Sequence, residues 1–128
     1  MIRKCAAIII QNKKLLVVRK RGTTVFISPG GKIEPGETQR CCLRRELREE
    51  LGVELIRATF FGTFERPSAF EKMDLQTHVW STEVSGNYQA LAEIEELRWI
   101  TGSAEISVGS VFGECVIPVL VNQGLIHE

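Results

Sequence analysis

Apolar and polar residues alternate along this chain in two different ways, one typical of strands and one of helices. The first apolar run, Cys5 to Ile10, is rich in isoleucine and predicts a buried strand. A polar turn from Gln11 to Lys14 leads to a second apolar run, Leu15 to Val18, so the two runs predict a hairpin. Val25 to Ile27 predicts a further short strand. The N-terminal part of the chain is therefore expected to be β-structure.

The pattern changes to that of a helix between Gln39 and Leu51. This segment has good helix formers and contains neither Pro nor Gly. Leucines recur at four-residue steps and give the helix an apolar stripe, made of Leu43, Leu47 and Leu51. Thr38 is suited to cap the N-terminus of the helix. Gly52 is suited to end it, because Gly tolerates the left-handed backbone conformation.

Strand-like patterns return after the helix. Glu54 to Phe64 predicts a long strand with a bulge at Gly62, followed by a polar loop from Glu65 to Met73. Leu75 to Val84 predicts the next strand. An acidic connection from Ala90 to Glu96 then precedes a short last strand.

The chain is predicted to end in a helix. The last strand is expected at Leu97 to Ile100, and Val111 to Gly124 has a helical pattern in which Pro118 marks a kink or a first turn. This order of elements predicts an α/β (α+β) fold, with one mixed sheet covered by helices on both faces. At 128 residues the chain predicts a single domain, 1–128.

Charge and cysteine content narrow the class of protein. The 16 basic and 16 acidic residues give a formal net charge of zero, which argues against binding to a nucleic acid polymer or a membrane surface. None of the four cysteines lies in a C-x-x-C pair, and no apolar run is long enough to span a bilayer. We therefore expect a cytoplasmic protein with free thiols, either a monomer or a homodimer.

Candidate chemistry lies at the junction of a glycine-rich loop and the central helix. Glu46, Glu49 and Glu50 stand at i, i+3 and i+4, where like charges repel and reduce helix stability. Carboxylates gathered in this way suit a hard divalent cation such as Mg²⁺. Gly30 and Gly31 allow the main chain to come close to a ligand. On the helix alone, a solvated charged face is the better interpretation; the adjoining loop favours a metal site.

These residues resemble the signature of the Nudix hydrolases. The signature is Gly, any five residues, Glu, any seven, and then Arg-Glu-aliphatic-any-Glu-Glu-any-Gly-aliphatic. All nine specified positions match without a gap, namely Gly31, Glu37, Arg45, Glu46, Leu47, Glu49, Glu50, Gly52 and Val53. The match covers Gly31 to Val53. The resemblance implies an α/β/α sandwich with a mixed β-sheet.

The resemblance also implies an activity and a cofactor. Nudix hydrolases cleave a pyrophosphate bond in a nucleoside diphosphate linked to a group X, which includes nucleoside triphosphates, and they use Mg²⁺ or Mn²⁺. By position, Glu46, Glu49 and Glu50 would hold the metal together with the Gly30 carbonyl. Glu46 or Glu49 would also handle the proton of the attacking water.

Further residues receive roles from the same resemblance. Arg45 would orient a carboxylate of the signature, whereas Glu37 and Gly52 would be structural. Glu93 is our choice for an additional metal ligand or base, although solvation of the acidic connection is almost as good an explanation. The substrate-binding candidates are Arg19 for a phosphate, Gly31 for close approach of the main chain, and Phe70 for stacking on a base.

Three questions stay open at this point. A catalytically silent Nudix-fold nucleotide sensor is the alternative function, but such proteins usually lose carboxylates of the signature, and this chain keeps them. Gly113 stands where Nudix hydrolases that act on oxidised guanine nucleotides can have Asn, which argues against that substrate. Neither the nucleotide, the phosphorus attacked nor the general base follows from the sequence.

Overall fold

The computed structural model describes residues 1–68 and 71–128. The first strands are β1 (Ile2–Ile8), β2 (Ile10–Gln11), β3 (Lys14–Lys20), β4 (Phe26–Ile27) and β5 (Gly30–Lys32). Helix α1 (Gln39–Leu51) follows, and then β6 (Glu54–Pro67), β7 (Asp74–Ser85) and β8 (Ile94–Ile100). A π-helical segment (Val111–Val116) continues directly into α2 (Ile117–Asn122).

The strands form two sheets, where the sequence predicted one. The first has the order β5-β1-β7-β6 and is mixed, because β1 and β7 run parallel while the other pairs are antiparallel. In the second, β3 pairs with β2, β4 and β8, all antiparallel. The Leu16 N–H donates to the Ile9 carbonyl at 2.9 Å, which joins the two sheets. The predicted hairpin is confirmed, with Asn12 and Lys13 at positive φ in its turn.

Helical segments cover both sides of this β-structure. Residues of β1 alternate between two apolar clusters: Cys5 and Ala7 pack in the cluster that contains the leucine stripe of α1. Ala6 and Ile8 pack in the cluster that contains the C-terminal helical residues. This alternation follows from the two-residue period of a strand. The predicted α/β/α sandwich with a mixed sheet is therefore confirmed.

Helix α1 begins and ends as predicted. The Thr38 hydroxyl accepts a hydrogen bond from the Cys41 N–H at 3.1 Å, which satisfies one of the free N–H groups of the first turn. Gly52 ends the helix at φ 67°, and its N–H donates to the Arg48 carbonyl at 3.1 Å. The side chains of Leu43, Leu47 and Leu51 are fully buried.

Two predicted boundaries in the second half are wrong. The loop expected at Glu65 to Met73 is shorter, because β6 continues to Pro67 and pairs there with the start of β7. The bulge at Gly62 is confirmed by a register shift between Phe60 and Gly62. The last strand begins at Ile94, inside the predicted acidic connection Ala90 to Glu96.

The reason for this early start of β8 is a set of charge pairs with β3. Arg19 of β3 contacts the carboxylates of Glu95 at 3.2 Å and Glu96 at 3.1 Å. Acidic residues can therefore occupy a strand here, which local composition does not reveal. At the C-terminus, the predicted helix starts at Val111 as a π-helix and ends at Asn122, two residues before Gly124. Pro118 lies in the first turn of α2, one of the two predicted places.

Candidate functional site

The candidate site lies where the loop at β5 meets the helix α1. Gly30 has φ 144°, and a Cβ there would lie 2.1 Å from the Cys5 carbonyl oxygen. Its N–H donates to Glu50 Oε1 at 3.0 Å. A Cβ at Gly31 would lie 2.5 Å from Glu46 Cδ. Side chains at these two positions would collide with β1 and with a carboxylate, so two glycines let the loop lie against the acidic face of the helix.

Burial makes the two carboxylates nearest the loop weaker acids. Glu50 is only 7% exposed, and this burial raises its pKa to about 7 from an ordinary 4.5, although the hydrogen bond from Gly30 acts in the opposite direction. Burial also raises the pKa of Glu46, against the lowering effect of Arg45. The Lys20 ammonium group favours the ionised form of both. Two desolvated carboxylates side by side would be stabilised by an added cation.

Arg45 contacts three of the carboxylates on this side of the helix. Its Nε and Nη2 donate to both oxygens of Glu37, at 2.7 and 2.9 Å. Its Nη1 donates to Glu46 Oε1 at 2.6 Å and lies 3.5 Å from Glu49 Oε2. These hydrogen bonds lower the pKa of Glu37 to about 2 and raise that of Arg45. The guanidinium thus fixes the Glu46 carboxylate against the loop, a contact of the kind that the resemblance implies.

The carboxylates fit a hard divalent cation in their chemistry. Glu46, Glu49 and Glu50 supply oxygen ligands of the type that Mg²⁺ takes. In the chain as described, no three His, Cys, Asp or Glu side chains already converge on one point as a metal site. Arg45 already holds Glu46 and lies near Glu49. A cation at the loop would therefore compete with this guanidinium for carboxylate oxygens.

Two other candidates that the structure describes, Arg19 and Glu93, have their contacts elsewhere. Arg19 already has three partners, since it also donates to the Thr23 carbonyl at 3.0 Å besides its two contacts with β8. The Glu93 carboxylate is 76% exposed and lies 3.9 Å from Lys20 Nζ. Its link to the acidic face is therefore indirect, through Lys20. Phe70 lies outside the described residues, so its role stays a prediction, as do the roles of Arg19 and Glu93.

A cleft opens beside the loop, on the side of β1 that faces the C-terminal helical segment. It is partly open to solvent. Ala6, Val111 and Phe112 give it apolar walls, and Gly30 and Gly31 form its edge next to the carboxylates. An apolar cleft of this kind, next to a polar centre, is the usual form of a small-molecule site.

The cleft also contains two polar residues that the sequence analysis missed. Lys4 and Thr77 occupy paired positions on β1 and β7 and both line the cleft. Burial lowers the pKa of Lys4, and the charge of Lys20 lowers it further. A charged residue at the start of a strand has the pattern of a solvated strand end. Only the pairing of β1 with β7, which lies far away in sequence, reveals that Lys4 belongs to the cleft.

Among the described residues, no helix is long and apolar enough to cross a membrane.

The comparisons with known proteins agree with this geometry. The sequence model of the protein family described as NUDIX domain matches residues 1–104. An Escherichia coli protein named CTP pyrophosphohydrolase is 35% identical over 104 residues, which are 77% of this chain and 75% of that protein. A Bacillus subtilis relative is 27% identical over 94 residues, 71% of this chain but only 60% of the relative. The solution structure of the Escherichia coli ORF135 protein superposes with a TM-score of 0.72 at 31% identity, over 94% of this chain and 86% of that one.

Proposed function

Because this chain belongs to the Nudix hydrolase family, we propose that it is a metal-dependent pyrophosphohydrolase. Its substrate is a nucleoside triphosphate or another nucleoside diphosphate linked to a group X. Water attacks a phosphorus atom and the phosphoanhydride bond breaks. The family relationship supports the reaction class, and the geometry of the carboxylates supports the location of the reaction site.

One observation carries the proposal. Glu46 and Glu50 are held against the glycine loop, both with pKa values raised by burial, at the edge of a partly apolar cleft. Buried carboxylates of this kind disfavour folding unless a positive charge joins them. Their retention beside a cleft is expected of a metal and phosphate site, whereas a charged helix face without function would leave them solvated.

We assign the metal to Glu46, Glu49, Glu50 and the Gly30 carbonyl, with Mg²⁺ as the first choice and Mn²⁺ as the second. When bound, the ion would lower the pKa of a water molecule and neutralise charge on the phosphoryl oxygens. Glu49 is the most exposed of the three carboxylates, with 55% of its side chain accessible. It can therefore receive a proton from attacking water without a prior rearrangement of the loop.

The remaining residues support this centre. Arg45 positions Glu46 and is itself held by Glu37, so these two residues set the carboxylate geometry without touching the substrate. Gly52 ends the helix that carries the acidic face. Glu93 is assigned as the additional base or metal ligand, and its carboxylate lies 3.9 Å from Lys20 Nζ. The nucleoside lies in the cleft, where Gly31 permits close approach; Arg19 and Phe70 stay candidates for the outer phosphates and the base.

A hydrolysis panel tests the proposal. The protein is incubated with nucleoside triphosphates and nucleoside diphosphate sugars in Mg²⁺, in Mn²⁺ and in EDTA, and the products are separated. CTP belongs in the panel because a relative is named for it. We expect metal-dependent turnover, and a fall of about 10²- to 10⁴-fold in kcat for Glu49→Gln with unchanged unfolding. No turnover on any nucleotide, with tight binding of the intact nucleotide, would favour the sensor function instead.

A further inference from the structure

Lys4 is the one charged side chain of the cleft that the proposed mechanism does not use. It is half-buried on the face of β1 that lines the cleft, between Lys32 of β5 and Thr77 of β7 in the strand register. In the part of the chain that the structure describes, no carboxylate lies within 4.0 Å of its ammonium group. A partly desolvated ammonium without a direct ion pair is unfavourable, because burial removes water that the more distant charges of Glu50 and Glu71 replace only in part.

Other cations near the site already have partners. Arg19 is bound by two carboxylates and a carbonyl. Lys32 Nζ lies 3.1 Å from a carboxylate oxygen of Glu71 and is largely exposed. Lys20 Nζ lies 3.9 Å from a carboxylate oxygen of Glu93. Lys4 is therefore the cation that is left to meet a ligand inside the cleft.

The surroundings of Lys4 distinguish an anionic ligand from a neutral one. Lys20 and Lys32 repel the Lys4 ammonium, whereas the carboxylates of Glu50 and Glu71 attract it from beyond ion-pair distance. A carbonyl on a base would satisfy one hydrogen bond and leave this repulsion in place. A phosphoryl group would also offset the repulsion, because its charge attracts all three ammonium groups.

The position of Lys4 says which phosphoryl group this would be. Its strand partner Lys32 is two residues from Gly30, the residue that contacts Glu50. Two residues of a strand span about 7 Å. In the same register Ala6 lies opposite Gly30, so Lys4 is two residues from the apolar wall at Ala6 and from the Gly30 edge of the carboxylate centre. A nucleotide in the cleft would bring its first phosphate within reach of such a position.

We propose that Lys4 is a specificity-determining residue that binds the phosphoryl group next to the nucleoside. The proposal rests on the proposed function, because it places the nucleoside in the cleft and the broken bond at the carboxylates. The cleft then binds a nucleoside with its first phosphate as a unit. A nucleoside monophosphate is expected to bind as a competitor, and the unphosphorylated nucleoside is expected to bind weakly.

Binding measurements without turnover test this. The intact chain is titrated calorimetrically with AMP, GMP, CMP and UMP and with the four matching nucleosides, once in EDTA and once in Mg²⁺. For the tightest monophosphate we expect an affinity about 10- to 100-fold higher than that of its nucleoside, as for a charge-assisted hydrogen bond. Lys4→Met should remove most of this ratio and leave the nucleoside affinity unchanged. Lys4→Arg should retain it.

Lys14→Met is the matched control, since Lys14 is an exposed lysine at the opposite end of β3 from Lys20. It removes the same charge and should leave the ratio unchanged. Thermal unfolding checks each variant, and Lys4→Gln replaces Lys4→Met if the latter does not fold. A ratio that the Lys4 variants leave unchanged in both buffers, or no binding of any monophosphate by the wild-type protein, overturns the proposal.

The outcomes also separate this inference from the proposed function. If the hydrolysis panel is negative but Lys4→Met abolishes the preference for monophosphates, the pyrophosphohydrolase proposal fails and the role of Lys4 in phosphate binding stands. If turnover is found and the preference does not depend on Lys4, the hydrolase proposal stands and the assignment of Lys4 is wrong.

Discussion

Glu50→Gln should make the metal-free protein more stable at neutral and alkaline pH. The folded-state pKa of Glu50 is about 7, above its ordinary value of 4.5, because the side chain is buried. A carboxyl group with a raised pKa contributes stability that is fully present below pH 4.5 and is lost as the pH rises through about 7. Above that pH the folded protein contains a buried, ionised Glu50, whereas in the unfolded chain this carboxylate is solvated.

The magnitude follows from the two pKa values. The difference between 4.5 and about 7 corresponds to roughly 3 kcal/mol, at ~1.4 kcal/mol for each unit. Gln keeps the acceptor for the Gly30 N–H. Its amide N–H groups lack a defined acceptor, which offsets about 1 kcal/mol. We therefore expect a net gain of roughly 2 kcal/mol at pH 8 and a small loss or no change near pH 4.5.

Urea unfolding in EDTA across pH 4.5 to 8.5 measures this difference. Glu49→Gln is the control, since it makes the same change one residue earlier on an exposed side chain and should change stability by less than about 0.5 kcal/mol. Added Mg²⁺ should stabilise the wild-type protein more than Glu50→Gln, because the variant lacks one of the charges that attract the cation. A Glu50→Gln protein that is less stable than wild type at pH 8 in EDTA would refute the argument from burial.

Three further substitutions test the loop, the cap and the guanidinium. Gly31→Ala should lower kcat about 10- to 100-fold with little change in the free energy of unfolding. The new Cβ would lie 2.5 Å from Glu46 Cδ and would displace this flexible carboxylate. Gly113→Ala is the control, because its Cβ would meet nothing closer than 3.5 Å. Thr38→Ala should reduce the free energy of unfolding by about 1 kcal/mol in urea, through the lost N-cap, and a value near zero would show that the cap is dispensable. Arg45→Lys should lower kcat about 10- to 100-fold, because Lys cannot contact Glu37 and Glu46 at the same time as the guanidinium does. An unchanged kcat in this variant would mean that the position of the Glu46 carboxylate does not affect turnover.

The central helix could be predicted because its determinants are local. Its cap at Thr38, its stop at Gly52 and its leucine stripe all lie within the segment itself, and the structure has the same bounds. Helix caps satisfy the backbone groups of a single turn, so a short stretch of sequence contains the whole interaction. The same is true of the bulge at Gly62, which needs no distant partner to be recognised.

The start of β8 could not be predicted, because its determinants are distant. Glu95 and Glu96 have the composition of a solvated loop. Glu96 has a local partner in Arg98, but the partner that both share is Arg19, more than seventy residues earlier. Strand pairing depends on cross-strand neighbours that sequence proximity does not supply. The same pairing gives Arg19 protein partners, so a phosphate at Arg19 would have to share it with Glu95 and Glu96.

For the candidate site, the sequence predicted that the three glutamates share a helix face but not how each is buried. The spacing of Glu46, Glu49 and Glu50 fixes their common helix face, so their proximity follows from helix geometry alone. Spacing does not say that Glu50 is buried and Glu49 exposed, because that depends on the loop at Gly30 packing over one side of the face. In the proposed mechanism this asymmetry separates the roles: the buried carboxylate would be stabilised by a cation, whereas the exposed one is accessible to attacking water. The glycine-rich turn at Gly30 thereby gives Glu49 and Glu50, which are neighbours on one helix face, different degrees of burial.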